Sequence, residues 1–159
     1  PMKTLKNVIA AFAMLVLLLA SSCKKDEVKV ELPEKFGSFT YQNKTYDITS
    51  AEYRRGNGTG AWIYLMTSDL NTVQIRFAGL GDYVIPEGKI DFVNPNYTIP
   101  LIPNKSFTGG QVTINNLSNI YNVATVIISK SGDKHMITLT AATPSGTLKA
   151  NFEGILKKI

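Results

Sequence analysis

The chain has 159 residues, 44% of them hydrophobic, a formal net charge of +5 and one cysteine. That length and apolar content fit one domain with a sizeable core and exclude a disordered chain. The basic excess is mild and scattered, with no basic stripe interleaved with aromatics, so nucleic acid is not an expected partner; a single cysteine excludes an internal disulfide, and stability must come from packing.

Lys3 and Lys6 form a short positive region, and Val8 to Ala20 is an unbroken apolar run. A membrane-spanning helix needs roughly 20 apolar residues. The run is shorter than that and fits the hydrophobic region of a signal peptide, with small residues at the cleavage point. It has no polar face of the kind a buried soluble helix shows. Ala20-Ser21-Ser22-Cys23 then resembles the lipobox of bacterial lipoproteins. The resemblance implies a diacylglycerol on the Cys23 thiol, cleavage just before it and acylation of the new amine. The preferred leucine sits one place early, at Leu19, a looser form usual in the Bacteroidota. Two or more acyl chains anchor stably where one holds only marginally, and acylation removes a free thiol from an oxidising compartment. Lys24-Lys25-Asp26-Glu27 resembles the charged signals that send such lipoproteins to the outer face of the cell. The implied location is the outer membrane, on its periplasmic face or at the cell surface. Cleavage would remove Lys3 and Lys6 and lower the formal charge by two, from +5 to +3.

Three segments follow: a lipoprotein signal peptide at 1–22, the lipidated cysteine and a flexible tether at 23–35, and one β domain at 36–159. The tether is charged, carries Pro33 and lacks periodicity. In the domain, Phe39 and Tyr41 alternate with polar residues, and Gln42-Asn43-Lys44 supplies a turn. Thr45 to Arg54 is β-prone, with a slip of period near Ser50 that predicts a bulge. A glycine-rich turn spans Arg55 to Gly60. Ala61 to Thr67 is apolar on both faces, with Ile63 and Leu65 on one and Trp62, Tyr64 and Met66 on the other. After a turn at Ser68–Asn71, Val73, Ile75 and Phe77 alternate with Thr72, Gln74 and Arg76 as in a half-buried strand. Residues 79–110 carry Pro86, Pro95, Pro100 and Pro103. Proline cannot donate to a ladder, so Lys89–Val93 and Tyr97–Leu101 are expected as edge strands or loop. Val112 and Ile114 open the most regular part, and Tyr121 to Lys130 is β-branched and apolar on both faces. Ser131-Gly132-Asp133 turns the chain, and His135, Ile137 and Leu139 then share a face. After a turn at Pro144-Ser145-Gly146, Leu148, Ala150, Phe152, Gly154 and Leu156 alternate with polar residues.

These segments predict an all-β domain, an antiparallel sandwich or closed barrel of about eight strands. The pattern from Val112 to Leu156 resembles the C-terminal hairpins of small Bacteroidota envelope lipoproteins with sandwich or calycin-like barrel domains. Most such families have no assigned activity, so the resemblance bears on fold and address.

No catalytic set stands out. His135 is the one histidine, lies in line with core residues and reads as structural, so no metal site and no cofactor are expected. Asp69 with Asn71, and Asp82 with Glu87, fall short of a calcium loop. No nucleophile elbow is present. Gly81 to Lys89 fails as a phosphate loop, because its glycine spacing is wrong and Ile90 follows the lysine. Asp82, Glu87 and Asp91 are the one local acidic cluster, and a carboxylate-based hydrolase is the alternative they keep open. Aromatic residues give the candidate binding surfaces. Trp62 and Tyr64 share a strand face, with Tyr53 expected across the hairpin; the favoured reading makes this face one of two core layers. Tyr83 and Tyr97, with Phe92 and Phe107, form the second candidate surface in the long loop. The expected function is a membrane-anchored binding or accessory module for a glycan, a small apolar ligand or an envelope protein, with a hydrolase or a purely structural protein as the alternatives.

Cys23→Ala is expected to block lipidation and leave precursor or released protein. Metabolic labelling with a fatty-acid probe checks this, and label retained by the variant would refute the assignment.

Overall fold

The computed structural model describes residues 34–55, 60–78, 85–93 and 106–159, all within the compact unit Pro33–Ile159. Cys23, the expected signal peptide, the tether up to residue 33 and the strand expected at 97–101 lie outside the described residues. Twelve strands run through these residues: β1 Gly37–Tyr41, β2 Lys44–Ile48, β3 Ser50–Arg55, β4 Gly60–Met66, β5 Thr72–Ala78, β6 Gly88–Asp91, β7 Phe107–Ile114, β8 Leu117–Ile120, β9 Val123–Ser131, β10 Lys134–Thr143, β11 Gly146–Gly154 and β12 Lys157–Lys158. Sheet A has the order β2-β1-β11-β10-β9-β6, and sheet B the order β12-β3-β4-β5-β7-β8. Strand pairings are antiparallel except that of β12 with β3. Neither order closes on itself, and one apolar cluster draws on both sheets, so the arrangement is sandwich-like.

Alternation builds that cluster. A strand points successive side chains to opposite faces. From sheet A, Ala124, Val126 and Ile128 of β9, Ile137 and Leu139 of β10, and Leu148, Ala150 and Phe152 of β11 point inward. From sheet B, Ile63, Leu65, Val73, Ile75, Phe77 and Val112 meet them. The hairpins follow from turn chemistry. Gln42 and Asn43 both have positive φ, 51° and 62°, as do Asn115 and Asn116, 49° and 67°. These are the two-residue loops whose twist matches the flanking strands.

The slip of period near Ser50 is a change of sheet, not a bulge. β2 belongs to sheet A and β3 to sheet B, and Thr49 between them donates its N–H to the Met66 carbonyl of sheet B at 2.9 Å. Another crossing lies at Tyr121, expected as a strand start. Its N–H bonds Gly110 of sheet B, while the next N–H, of Asn122, bonds Ala142 of sheet A. The Tyr121 side chain is buried at the seam, and its hydroxyl donates to the Gln111 carbonyl at 3.0 Å. Burial pushes its phenol pKa well above 10.0, so it stays neutral. Gly110 leaves the space for it: a Cβ there would meet the Tyr121 ring and the Gln74 carbonyl. β6 sits at the edge of sheet A, as expected from the prolines around it. The strand count exceeds the expected eight partly because Thr45–Arg54 divides in two, and because β8 and β12 join.

Phe152 tests the register of β11. It is 3% exposed and faces the Phe36 ring, with centroids 6.4 Å apart. A Cβ on Gly154 would lie 3.0 Å from the Phe152 ring and 3.1 Å from that of Phe36, so the glycine makes the room. Phe152→Ala is expected to destabilise by about 3–5 kcal/mol, and exposed Glu153→Ala by about 0.5 kcal/mol or less. Denaturant melts of both variants check the contrast, and equal losses would reject the register.

Candidate functional site

The inner face of β4 is committed to the core by Ala61, Ile63 and Leu65. Trp62, Tyr64 and Met66 therefore point out of the sandwich, where they are half-buried and no third layer covers them among the described residues. This corrects the expectation that they form a core layer. A side chain that is apolar yet faces outward on a central strand is informative in a way that a buried one is not.

Register gives Trp62 and Tyr64 their neighbours. One row across the sheet runs Arg54, Trp62, Arg76, Gly109. The next runs Lys157, Glu52, Tyr64, Gln74, Gln111. The Arg54 guanidinium lies 4.7 Å from the centre of the Tyr64 ring and donates through Nε and Nη2 to Glu52 Oε2, at 2.8 and 2.5 Å. Gln74 Nε2 donates to the Tyr64 hydroxyl at 2.9 Å. The Arg76 guanidinium stands 5.7 Å from the Trp62 ring centre. Each exposed cation–π contact contributes about 0.5–1 kcal/mol, enough to hold the rings in place without burying them. Glu52 is the one carboxylate in these two rows, against Arg54, Arg76 and Lys157, so the face is net positive.

The other expected site residues are placed elsewhere. Tyr53 pairs with Ile63, is 2% exposed and points into the core, away from Trp62 and Tyr64. A strand alternates, so an odd-numbered residue of β3 cannot share the face of Arg54. Tyr83, Tyr97 and Asp82 lie outside the described residues. Phe107 is fully buried, with Phe77, Phe92 and Tyr121 around it at centroid distances of 5.9, 5.9 and 6.2 Å. It is a core residue, not part of a loop surface. Glu87 is exposed ahead of β6. Asp91 faces outward on β6, accepts from Thr125 Oγ1 at 2.7 Å and lies 3.8 Å from Lys89 Nζ. Asp69 is exposed in its turn, whereas Asn71 is buried with Oδ1 accepting the Asn115 N–H. Among the described residues no three His, Cys, Asp or Glu gather as a metal site.

A groove of about 810 Å³ lies beside β10 and β11, walled by Lys35, Lys134, Met136, Asn151, Glu153 and Ile155. Its wall mixes both signs of charge with apolar groups and selects no ligand class. The Arg54–Trp62–Arg76 row, which sequence reasoning missed, sets an aromatic ring between two cations across neighbouring strands. Its signal was available: Thr72, Gln74 and Arg76 were legible as an outer face, but only register sets Arg76 beside Trp62.

Comparison of the chain with protein-family models, curated proteins and solved structures finds no match.

His135 faces inward as expected, 8% exposed, and its Nδ1 has no hydrogen-bond partner among the described residues. Burial lowers its pKa from 6.5; Lys130 and Lys158 act the same way, and Glu87 opposes them. The unfolded chain therefore takes up this proton first as pH falls, and folding loses ground. The contribution is intact above about 6.5 and is lost as acid titrates past that value toward the lower folded pKa. Between pH 7.5 and 5 the melting temperature of the native chain is expected to fall further than that of His135→Gln. Equal falls would assign the acid sensitivity to other groups.

Proposed function

We propose that this chain is an outer-membrane lipoprotein of the bacterial envelope, held by acyl chains on Cys23, whose β-sandwich domain binds glycan on the outer face of sheet B. One observation carries the reading: Trp62 and Tyr64 stand on the solvent side of sheet B, their rings fixed by Arg54 and Arg76. An aromatic ring offers an apolar plane with fixed geometry, which suits the C–H face of a pyranose. Polar groups around it, from Glu52, Gln74 and Gln111, can address hydroxyls. A small apolar ligand draws less support, because the inward positions of the long strands are filled with packed side chains. The hydrolase alternative rests on Asp82, which lies outside the described residues, and on Glu87 and Asp91, which are exposed, Asp91 being engaged by Thr125. A purely structural role does not account for an outward tryptophan between two arginines.

The full chain in mild detergent, screened against a panel of envelope and plant-type polysaccharides, is expected to bind at least one. Trp62→Ala should weaken that binding about tenfold or more, equivalent to about 1.4 kcal/mol, while its melting curve stays close to that of the native chain. Binding left intact in Trp62→Ala would reject the face.

A further inference from the structure

Resting on that glycan-face reading, we infer that the preferred ligand carries uronic acid residues, read by Arg76 beside the Trp62 ring. The two arginines of the row are not equivalent. Arg54 is committed: its guanidinium is held by Glu52 at 2.5 and 2.8 Å and lies over Tyr64. Arg76 is exposed, and among the described residues no carboxylate pairs with it. Its guanidinium lies over the Trp62 ring, 5.7 Å from the ring centre, so a cation and an aromatic ring share one place on the surface.

The next position in the row is Gly109, which is small and buried. The result is a site with two parts: the aromatic ring of Trp62 and the guanidinium of Arg76, which no carboxylate among the described residues engages. A uronic acid matches this pair. Its pyranose ring presents C–H groups to the indole, and its planar carboxylate can take two parallel N–H bonds from a guanidinium. Lysine offers no such fork. A neutral sugar would leave the guanidinium unanswered. The net positive charge of the two rows adds attraction for a polyanionic chain.

Fluorescence supplies the test, because Trp62 is the one tryptophan in the chain and reports its own surface. The full chain in mild detergent is titrated with oligogalacturonate and with its fully methyl-esterified form, which keeps the ring and removes the charge. The free acid is expected to bind at least tenfold more tightly, and the advantage should shrink as salt is raised. Arg76→Gln should abolish the advantage while leaving weak binding of the ester. Arg54→Gln should reduce it less, and Arg76→Lys should fall between Arg76→Gln and the native chain. Thermal melts confirm that each variant is folded; if Arg76→Gln is not, Arg76→Lys and the ester comparison decide. Equal binding of acid and ester, with both lost in Trp62→Ala, overturns the uronate inference and leaves the glycan face standing. Acid preferred equally by the native chain and Arg76→Gln overturns the role of Arg76. No Trp62 response to either oligomer overturns the uronate inference, and the polysaccharide panel then decides the face by itself.

Discussion

The apolar layer between the two sheets takes every second side chain of the long strands, and all else in the domain is arranged around that demand. β10 and β11 show it most plainly, with Ile137, Leu139, Leu148, Ala150 and Phe152 inward and polar residues outward. A layer filled in this way leaves function to the outer faces and the turns. It also makes the outer faces rigid, because each outward side chain is fixed by two packed neighbours along its own strand. A platform of that kind holds aromatic rings in register with little loss of entropy on binding.

The two outer faces differ in chemistry. Sheet A shows threonine, serine and asparagine to solvent, with Lys149, Glu153, Met136 and Ile127 between them: Thr40, Thr138 and Thr140 stand on its strands with Ser38 and Asn151 among them. Sheet B shows tryptophan, tyrosine, arginine and glutamine. The contrast has no cause in the core, since both sheets bury the same kinds of residue. Threonine alternation is what strand propensity alone would choose for a solvated face. Tryptophan and arginine on the other face exceed that requirement, and they are the residue types most often found at recognition surfaces.

Much of the fold was legible because period two is a strong signal wherever one face is polar. Val73-Gln74-Ile75-Arg76-Phe77 and Leu148 to Leu156 could be oriented from sequence, and the structure has them so. β4 could not. Both of its faces are apolar, and alternation names two faces without saying which one meets a second layer. Only the assembled sheet decides that Ile63 goes in and Trp62 out. The crossing at Thr49 was visible as a break in period, yet a bulge and a change of sheet leave the same mark on the sequence. The Asn115-Asn116 hairpin was passed over, although two asparagines able to adopt positive φ between alternating residues are a turn signal of some strength. Tyr53 was misplaced by one residue of register, which for a strand means the opposite side of the sheet. Arg76 entered the site through cross-strand pairing, a relation that no local stretch of sequence contains.

Five changes of sheet, those at Thr49 and Tyr121 among them, interleave the sheets along the chain. Sheet A is drawn from residues 37–48, 88–91 and 123–154, and sheet B from 50–78, 107–120 and 157–158. Neither sheet is built from one uninterrupted stretch of sequence. β1 must wait for β11, and the buried bond between Tyr41 and Thr143 closes a span of 102 residues. Domains built on such distant pairings fold slowly, on the order of milliseconds to seconds. The two sheets should appear together in a single cooperative step rather than one after the other. Until then the apolar strands stand open to solvent and to each other's partners in neighbouring chains. The interleaving that gives the finished sandwich its mutual support thus makes its assembly the most vulnerable moment in the life of the molecule.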